Sequence, residues 1–317
     1  MKMDTGSKRF DLTAAVKEKA LSLGFTACGV AEAAPVAPAD RERLSVWLEN
    51  GCQDGMRYLS NHFEKRCDPR LLVEGARSVV SVALNYYPSV FLPAEHPQFA
   101  FYAYGRDYHL VVMERLSRLA DFIRSLCPDA VCRCFCDTGP VLEKYWAWKA
   151  GLGFIGRHTQ LIVPGQGSYF FLGEVVTSVP LCYDAPLASQ CGDCRACIEC
   201  CPVSALSADG PRLDARRCLS CQTIENRDGI APEIAAHLGN RVYGCDTCQR
   251  VCPCNRTAAP SRVREFVPSE ALLSLSYDRL KALSREEYDC IFRHSAVKRA
   301  KYEGLMRNVG LLPDKKL

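Results

Sequence analysis

Residues 191–202 read Cys191-Gly-Asp-Cys194-Arg-Ala-Cys197-Ile-Glu-Cys200-Cys201-Pro202. This run contains the spacing C-x2-C-x2-C-x3-C-P, which is the bacterial ferredoxin pattern for a 4Fe–4S cluster. In that pattern the first three thiolates bind one cluster, and the fourth cysteine binds a different cluster. The run therefore predicts a small domain that folds around two metal clusters.

A second cysteine motif supplies the complementary ligands. Residues 245–253 read Cys245-Asp-Thr-Cys248-Gln-Arg-Val-Cys252-Pro253, and a detached Cys218 precedes them. Exchanging the fourth cysteine of each motif, as two-cluster ferredoxins do, divides eight cysteines into two sets. Cluster 1 would use Cys191, Cys194, Cys197 and Cys252, and cluster 2 would use Cys201, Cys218, Cys245 and Cys248.

Two structural zinc sites with four thiolates each are the alternative, because C-x2-C pairs also suit zinc. Zinc does not call for the x3-C-P tail that both motifs carry, and this tail favours iron–sulfur clusters. Cys200, Cys221 and Cys254 are left over. We expect them to be small packed residues rather than ligands, because free cysteine behaves as a small hydrophobic residue.

Composition limits the class of protein. The chain has 317 residues, of which 48% are hydrophobic, and a net charge of +4, which excludes a mainly disordered protein. It contains 20 cysteines, many of them between Cys191 and Cys254. No apolar run reaches the roughly 18 residues of a transmembrane helix, and no secretory signal is visible at the N-terminus. We therefore expect a cytoplasmic protein without membrane contact, whose cysteines bind metal rather than form disulfides.

Before the cysteine-rich segment, hydrophobic periodicity predicts alternating helices and strands. Helices are predicted over 11–23, 109–126 and 141–150, and strands over 25–30, 78–84, 131–136, 160–163 and 169–177. This alternation predicts a mixed α/β (α+β) domain over residues 1–180. Long apolar runs vanish near Pro180, so we expect a ferredoxin-like two-cluster domain over 181–260 and a basic helical segment over 261–317.

Asp137 stands between the predicted strand 131–136 and the predicted helix 141–150. This is a position at which α/β folds place functional side chains. The alternative is that Asp137 only caps the helix, because Asp is a preferred N-cap residue. The segment Tyr104-Gly-Arg-Asp-Tyr-His109 leaves a similar choice: it is a binding loop, or Asp107 in it is only the cap of the next helix.

Several segments, in order along nearly the whole chain, resemble the epoxyqueuosine reductase family. They are the two cysteine motifs together with residues 104–109, 137–144 (Asp-Thr-Gly-Pro-Val-Leu-Glu-Lys), 151–159 (Gly-Leu-Gly-Phe-Ile-Gly-Arg-His-Thr), 167–174, 239–248 and 298–308. The resemblance implies an enzyme that reduces the epoxide of epoxyqueuosine at the wobble position of tRNA to give queuosine. It also implies that electrons pass from a low-potential donor through two 4Fe–4S clusters to cobalamin, bound to the N-terminal domain.

The resemblance implies roles for individual residues as well. The family's proton donor is the aspartate of a D-S/T-G/A-P motif and falls on Asp137, whose pKa we expect burial against the corrin to raise. The cluster ligands fall on the eight cysteines assigned above. Contacts to cobalamin would come from Arg57, Asp137, Leu161, Ile162, Val163, Ser168, Ser220, Cys245 and Asp246.

The implied partner is a tRNA anticodon loop, with the target base turned into a pocket. The basic C-terminal segment 293–316 is the candidate for holding phosphates, and its alternative is a solvated helix face. Many family members continue into a helical-repeat domain that helps to hold tRNA; this sequence ends at residue 317, so we expect a short, monomeric form. The phosphate-binding candidates are Lys298, Arg299, Lys301 and Arg307.

Two other functions compete with this one. A reductive dehalogenase shares the plan of cobalamin with two clusters, but those enzymes are usually exported and act on small molecules. A pure electron carrier needs only the ferredoxin-like part, roughly 60–80 residues, and would leave the Asp137 motif without a role. We therefore favour epoxyqueuosine reduction.

Overall fold

The computed structural model of the chain describes residues 5–313, with side chains from residue 9 onward. In this range the α-helices are α1 (Thr5–Ser22), α2 (Pro38–Glu49), α3 (Phe63–Cys67), α4 (Tyr108–Leu126), α5 (Glu143–Lys149), α6 (Ala196–Glu199), α7 (Leu219–Ile224), α8 (Pro232–Ala235), α9 (Thr247–Arg250), α10 (Glu270–Leu273), α11 (Tyr277–Lys281), α12 (Arg285–Ile291) and α13 (Lys301–Gly310). The strands are β1 (Ala27–Glu32), β2 (Ser78–Asn85), β3 (Gln98–Phe99), β4 (Cys132–Phe135), β5 (Phe154–Ile155), β6 (Leu161–Ile162), β7 (Phe170–Thr177) and β8 (Arg241–Tyr243).

The central sheet has the strand order β1–β2–β7–β4, and all three pairings are antiparallel. β2 and β7 occupy its middle because they are β-branched, apolar runs that can be buried on both faces. Every predicted helix and strand before residue 180 has a counterpart here, shifted by a few residues at its ends. The predicted mixed fold is therefore confirmed.

Helices cover both faces of this sheet. Val80 and Val82 of β2 pack in one apolar core with Leu116 of α4, whereas Val79 and Ala83 pack in another with Trp146 of α5. The alternation follows from the two-residue period of a strand. α4 and α5 lie on opposite faces of the sheet. The first residues of both helices lie near the end of β4.

The cysteine-rich segment is attached to the N-terminal part by backbone pairing. β3 pairs in parallel with β8, and the amide of Ala100 donates to the carbonyl of Tyr243 at 2.7 Å. Gly244, with φ +73°, turns the chain directly before Cys245, and a Cβ there would lie 2.5 Å from Ala100. The turn that presents Cys245 therefore requires glycine.

The C-terminal segment packs back over the cysteine-rich segment. The buried amide of Asn308, in α13, donates to the carbonyls of Thr223 and Val242 at 2.8 Å each. Within the described range, no helix is both long enough and apolar enough to cross a bilayer. The boundaries 180 and 260 drawn from composition stay predictions.

Candidate functional site

Asp137 lies on the tight loop between β4 and α5. Its backbone has φ +57°, the left-handed region that an L-residue seldom adopts. Its amide donates to a carboxyl oxygen of Glu143, the first residue of α5. The N-cap of α5 is Leu142, without a side-chain cap. The helix-cap alternative for Asp137 is therefore wrong, and its carboxylate is left for other contacts.

That carboxylate faces the first turn of α4. The Tyr108 hydroxyl donates to Asp137 Oδ2 at 2.7 Å, and His109 Nε2 lies 3.1 Å from the same oxygen. His109 Nδ1 lies 2.7 Å from Asp107 Oδ1, which also accepts the His109 amide as the N-cap of α4. Asp107 is thus the N-cap of α4, as one of the two sequence interpretations predicted. It is also one end of a continuous chain of contacts that runs through His109 to Asp137.

Aromatic packing fixes the position of this chain. The Tyr108 ring stacks on Phe171 with ring centres 4.3 Å apart and planes 2° from parallel. It also stacks on the His109 ring at 4.0 Å. Because Phe171 belongs to β7, the central sheet holds both donors against Asp137.

The contacts set the charges of the site. Burial raises the pKa of Asp137, but the hydrogen bonds from His109 and Tyr108 outweigh burial and leave that pKa below 3.8. Burial lowers the pKa of His109, but the two flanking carboxylates outweigh it and raise that pKa to about 9. At neutral pH the pair is therefore a carboxylate and an imidazolium. The predicted rise in the Asp137 pKa depends on burial against the corrin and stays a prediction.

Two further carboxyl groups have raised pKa values, Glu143 in the cavity wall and Glu174 in the sheet, and sequence reasoning missed both. Glu174 of β7 is fully buried, and neither of its carboxyl oxygens has a hydrogen-bond partner among the described residues. Burial and the neighbouring Glu143 raise the pKa of Glu174, and burial and Asp137 raise the pKa of Glu143 to about 8. Burial favours the neutral form of both at neutral pH. The sequence signal that could have revealed Glu174 is a glutamate inside an otherwise apolar predicted strand.

We expect Glu174→Gln to stabilise the protein more at pH 8 than at pH 5. Glu174 is neutral when folded and ionised when unfolded above about pH 4.3, so the folded protein loses about 1.4 kcal/mol of stability for each pH unit between its unfolded and its raised folded pKa. Glutamine removes this loss. The measurement is the thermal midpoint at both pH values, with exposed Glu114→Gln of α4 as control. An equal shift at both pH values would contradict a raised pKa.

A cavity of about 2240 Å³ opens beside Asp137. Pockets for drug-sized ligands measure about 300–1,000 Å³, so this one has room for a macrocycle and a nucleoside together. Asp107, Tyr108, His109, Asp137 and Glu143 form one wall. The other walls include Trp47, Met56, Tyr58, Leu59, His62, Tyr145, Trp148, Phe154, Thr159, Arg212, Arg216, Glu225, Lys298 and Arg299.

Only Asp137, of the nine residues predicted to contact cobalamin, lines this cavity. Ser168 is buried and engaged by Asn255 and Gln249, and Asp246 accepts the Phe101 amide. Leu161, Ile162 and Val163 are buried. The remaining three residues outside the cavity lining are Arg57, Ser220 and Cys245. These eight residues do not line the cavity, and their contact with cobalamin stays a prediction.

The cysteines predicted for cluster 1 come together around α6 and α9, which pack on each other. Burial and the neighbouring thiols of Cys191 and Cys194 raise the pKa of Cys197. Burial is also the main cause that raises the pKa of Cys252 to about 12, and Cys254 and Cys191 contribute. Cys252 and Cys191 share a small apolar cluster with Phe154 and Ile162. The structure thus places the distant Cys252 beside the first motif.

The cysteines predicted for cluster 2 are also neighbours. Burial, then the thiols of Cys218, Cys245 and Cys201, raise the pKa of Cys248. The Cys201 sulfur accepts the Ala205 amide at 3.3 Å. No three Cys, His, Asp or Glu side chains in the described part of the chain converge on a single-ion site. A cubane, in contrast, takes one thiolate at each of four separate irons.

The leftover cysteines differ from one another. Cys221 is buried, as expected for a packed residue, whereas Cys200 is exposed. Cys254 is half-buried beside Cys252. Exposure of Cys200 contradicts the expectation that it is packed, because the end of α6 turns it towards solvent.

The basic residues of the C-terminal segment have unequal surroundings. Arg299 binds the Glu225 carboxylate with three contacts of 2.5–3.0 Å, and both line the cavity. Lys298 also lines it, and Lys301 is exposed at the start of α13. Arg307 donates to the carbonyls of Gln222, Asn226 and Asp228. The Arg307 guanidinium is thus engaged by backbone carbonyls, and its predicted phosphate contact stays a prediction. Residues 315 and 316 lie outside the described residues.

The chain matches known proteins along its whole length. Residues 66–138 match the family model "Epoxyqueuosine reductase QueG, DUF1730", and residues 190–255 match the "4Fe-4S double cluster binding domain". A curated epoxyqueuosine reductase of Cellulophaga algicola is 40% identical over 310 residues, covering 98% of this chain and 100% of its own length.

Solved structures agree with the sequence matches. A crystal structure of an epoxyqueuosine reductase with an epoxyqueuosine-modified tRNA-Tyr stem loop superposes with a TM-score of 0.88 at 30% identity, covering 95% of this chain and 80% of that one. A structure from Bacillus subtilis, with its catalytic aspartate loop swung out of the active site, gives 0.87 at 30% identity with the same coverage.

Proposed function

The chain belongs to the epoxyqueuosine reductase family, and from this premise we propose that it reduces the epoxide of epoxyqueuosine in tRNA to the alkene of queuosine. The conversion takes up two electrons and two protons and releases the epoxide oxygen as water. The observation that carries the proposal is the end-to-end match to a curated member of the family. Asp137, at the wall of a cavity wide enough for a nucleoside, supports it.

Two 4Fe–4S clusters serve the electron path, as the double-cluster domain indicates. We propose that the two crossed sets bind them, with Cys191, Cys194, Cys197 and Cys252 on cluster 1 and Cys201, Cys218, Cys245 and Cys248 on cluster 2. The proximity of Cys252 to Cys191 supports the exchange of ligands between motifs. Electrons would enter from a low-potential donor.

Cobalamin fits the cavity by size and by the character of its walls. The cavity of about 2240 Å³ joins aromatic walls, formed by Trp47, Tyr145 and Trp148, to the charged wall at Asp137. We propose that these residues hold the corrin and its side chains. When bound, cobalamin would supply a strongly reducing, nucleophilic cobalt for reduction of the epoxide.

Asp137 would deliver a proton to the departing epoxide oxygen. Tyr108 and His109 orient its carboxylate from one side, and the amide bond to Glu143 fixes its loop from the other. The swung-out aspartate loop of the Bacillus subtilis relative supports a catalytic loop at this place. The half-exposed Asp137 side chain faces a cavity that the substrate would close.

Recognition of tRNA would use the basic rim of the same cavity. Lys298 lies on the rim, 3.5 Å from Asp289, and Lys301 is exposed nearby. Arg299 is paired with Glu225, so we propose that it orders the cavity wall beside Tyr58 rather than binding a phosphate. The target nucleoside would turn out of the anticodon loop into the cavity, as RNA-modifying sites require.

The test is anaerobic purification with cobalamin supplied, metal analysis, and an assay on tRNA carrying epoxyqueuosine. We expect about eight irons and one cobalt per chain, from two 4Fe–4S clusters and one corrin, and formation of queuosine. A small organohalide is the control substrate and should not react. Metal-loaded protein that leaves epoxyqueuosine unchanged would overturn the proposal. A monomer should elute near 35.2 kDa.

A further inference from the structure

We infer that His109 is a positioning residue that supplies protons to Asp137 during reduction of the epoxide. The inference rests on the proposed function and goes beyond it, because it assigns the source of the protons. It stands on the chain of contacts Asp107–His109–Asp137, which runs along the wall of the cavity.

The geometry determines the protonation of His109. Both ring nitrogens face a carboxylate oxygen, Nδ1 at 2.7 Å from Asp107 and Nε2 at 3.1 Å from Asp137. An ionised carboxylate only accepts hydrogen bonds, whereas a neutral imidazole has only one N–H. Both contacts are hydrogen bonds only when His109 carries two protons. His109 therefore holds a proton within one hydrogen bond of Asp137.

Asp137 needs such a source. It receives hydrogen bonds from Tyr108 and His109, and these contacts favour its ionised form. A carboxylate held in that form has no proton of its own to give. Glu143 lines the cavity beside Asp137, but its described contact is acceptance of the Asp137 amide. His109 is the imidazolium whose N–H already points at the Asp137 carboxylate.

The proposed step balances. Reduction of an epoxide to an alkene consumes two electrons and two protons, forms the C=C bond, breaks two C–O bonds and releases water. As the epoxide oxygen gains negative charge, the Nε2–H bond of His109 breaks to protonate the Asp137 carboxylate, and the O–H bond so formed breaks as the epoxide oxygen takes up that proton, which leaves Asp137 ionised and His109 neutral. The electrons come from the proposed cluster and cobalamin path. The His109 side chain, 30% exposed, regains its proton from solvent before the second transfer.

Other charged groups act on the same pair. Asp107, the N-cap of α4, and Tyr108, its first residue, face it from one side, and Glu143 and Lys144 of α5 act from another part of the cavity wall. Arg299 acts on Asp137 from the C-terminal segment. A purely structural His109 would join Asp107 to Asp137 without giving up a proton, so the test must detect the proton itself.

The first test is the pH profile of single-turnover reduction on epoxyqueuosine tRNA. In the unaltered protein the rate should fall as pH rises through about 9, where the imidazolium deprotonates. His109→Gln should be about 100-fold slower at pH 7, at the lower end of the range for a lost general acid, and should lack this alkaline fall. Exposed His237→Gln, outside the cavity, is the matched control. A His109→Gln variant with unaltered rate and profile would overturn the inference and leave the proposed function standing.

The second test does not depend on turnover. Nitrogen-15 NMR of histidine-labelled protein should show a signal, absent from His109→Gln, that titrates near 9 in the unaltered protein. In Asp137→Asn the same signal should titrate at lower pH, because one of the two carboxylates is gone. A His109 that titrates near 6.5 in the unaltered protein would overturn the inference, whether or not epoxyqueuosine is reduced.

Discussion

Asp137→Asn is expected to abolish most turnover on epoxyqueuosine tRNA, by about 100- to 10,000-fold, the usual contribution of a positioned proton donor. Asparagine has the same shape and can still accept hydrogen bonds from Tyr108 and His109, so the loop should keep its position. It cannot take a proton from His109 or give one to the epoxide oxygen. The loss should therefore lie in the chemical step.

Single-turnover rates with saturating tRNA measure that step, and iron, cobalt and tRNA affinity should stay unchanged. Asp121→Asn, exposed on the far end of α4 and paired only with Arg124, is the matched control. Near-normal rates in Asp137→Asn would show that the proton comes from elsewhere. Loss of cobalt along with turnover would instead assign Asp137 to holding the cofactor.

The fold was predictable where the signal is local. The helix over 109–126 and the strands over 78–84 and 169–177 follow from periodicity and β-branched runs, and each matches an element of the structure. The antiparallel order β1–β2–β7–β4 was not predictable, because it depends on pairing between residues about 40 to 100 positions apart. Nothing in a short window of sequence encodes that register.

The candidate site also has some features that local sequence predicts and others that depend on contacts between distant residues. The cysteine sets follow from spacing, and the structure brings each set together, although ligation itself stays a prediction. The contact between His109 and Asp137 spans 28 residues and arises only because the start of α4 lies beside the end of β4. The cobalamin contacts were carried over from the family onto Leu161, Ile162 and Val163, whose side chains the fold buries. Resemblance carries residue types to positions, and the contacts of these three residues with cobalamin stay predictions.

Replacing a cluster ligand is the second change with a large expected effect. Cys197→Ser and Cys248→Ser should each lower the iron content from about eight to about four per chain, because each removes one thiolate from a different four-iron cluster. A serine hydroxyl does not ionise near neutral pH and is a poor substitute for a thiolate. Iron and sulfide analysis after anaerobic purification measures the loss, and exposed Cys200→Ser is the control.

The crossed ligand sets make a sharper prediction than the loss of iron alone. Cys252→Ser should remove the same cluster as Cys197→Ser, although Cys252 belongs to the second motif, and Cys201→Ser should remove the same cluster as Cys248→Ser. Electron paramagnetic resonance of the reduced proteins identifies the surviving cluster in each variant. Matching spectra within each pair are expected, because Cys252 lies beside Cys191 and Cys201 lies beside Cys248. If Cys252→Ser instead matched Cys248→Ser, each motif would bind its own cluster, and the exchange of ligands between motifs would be wrong.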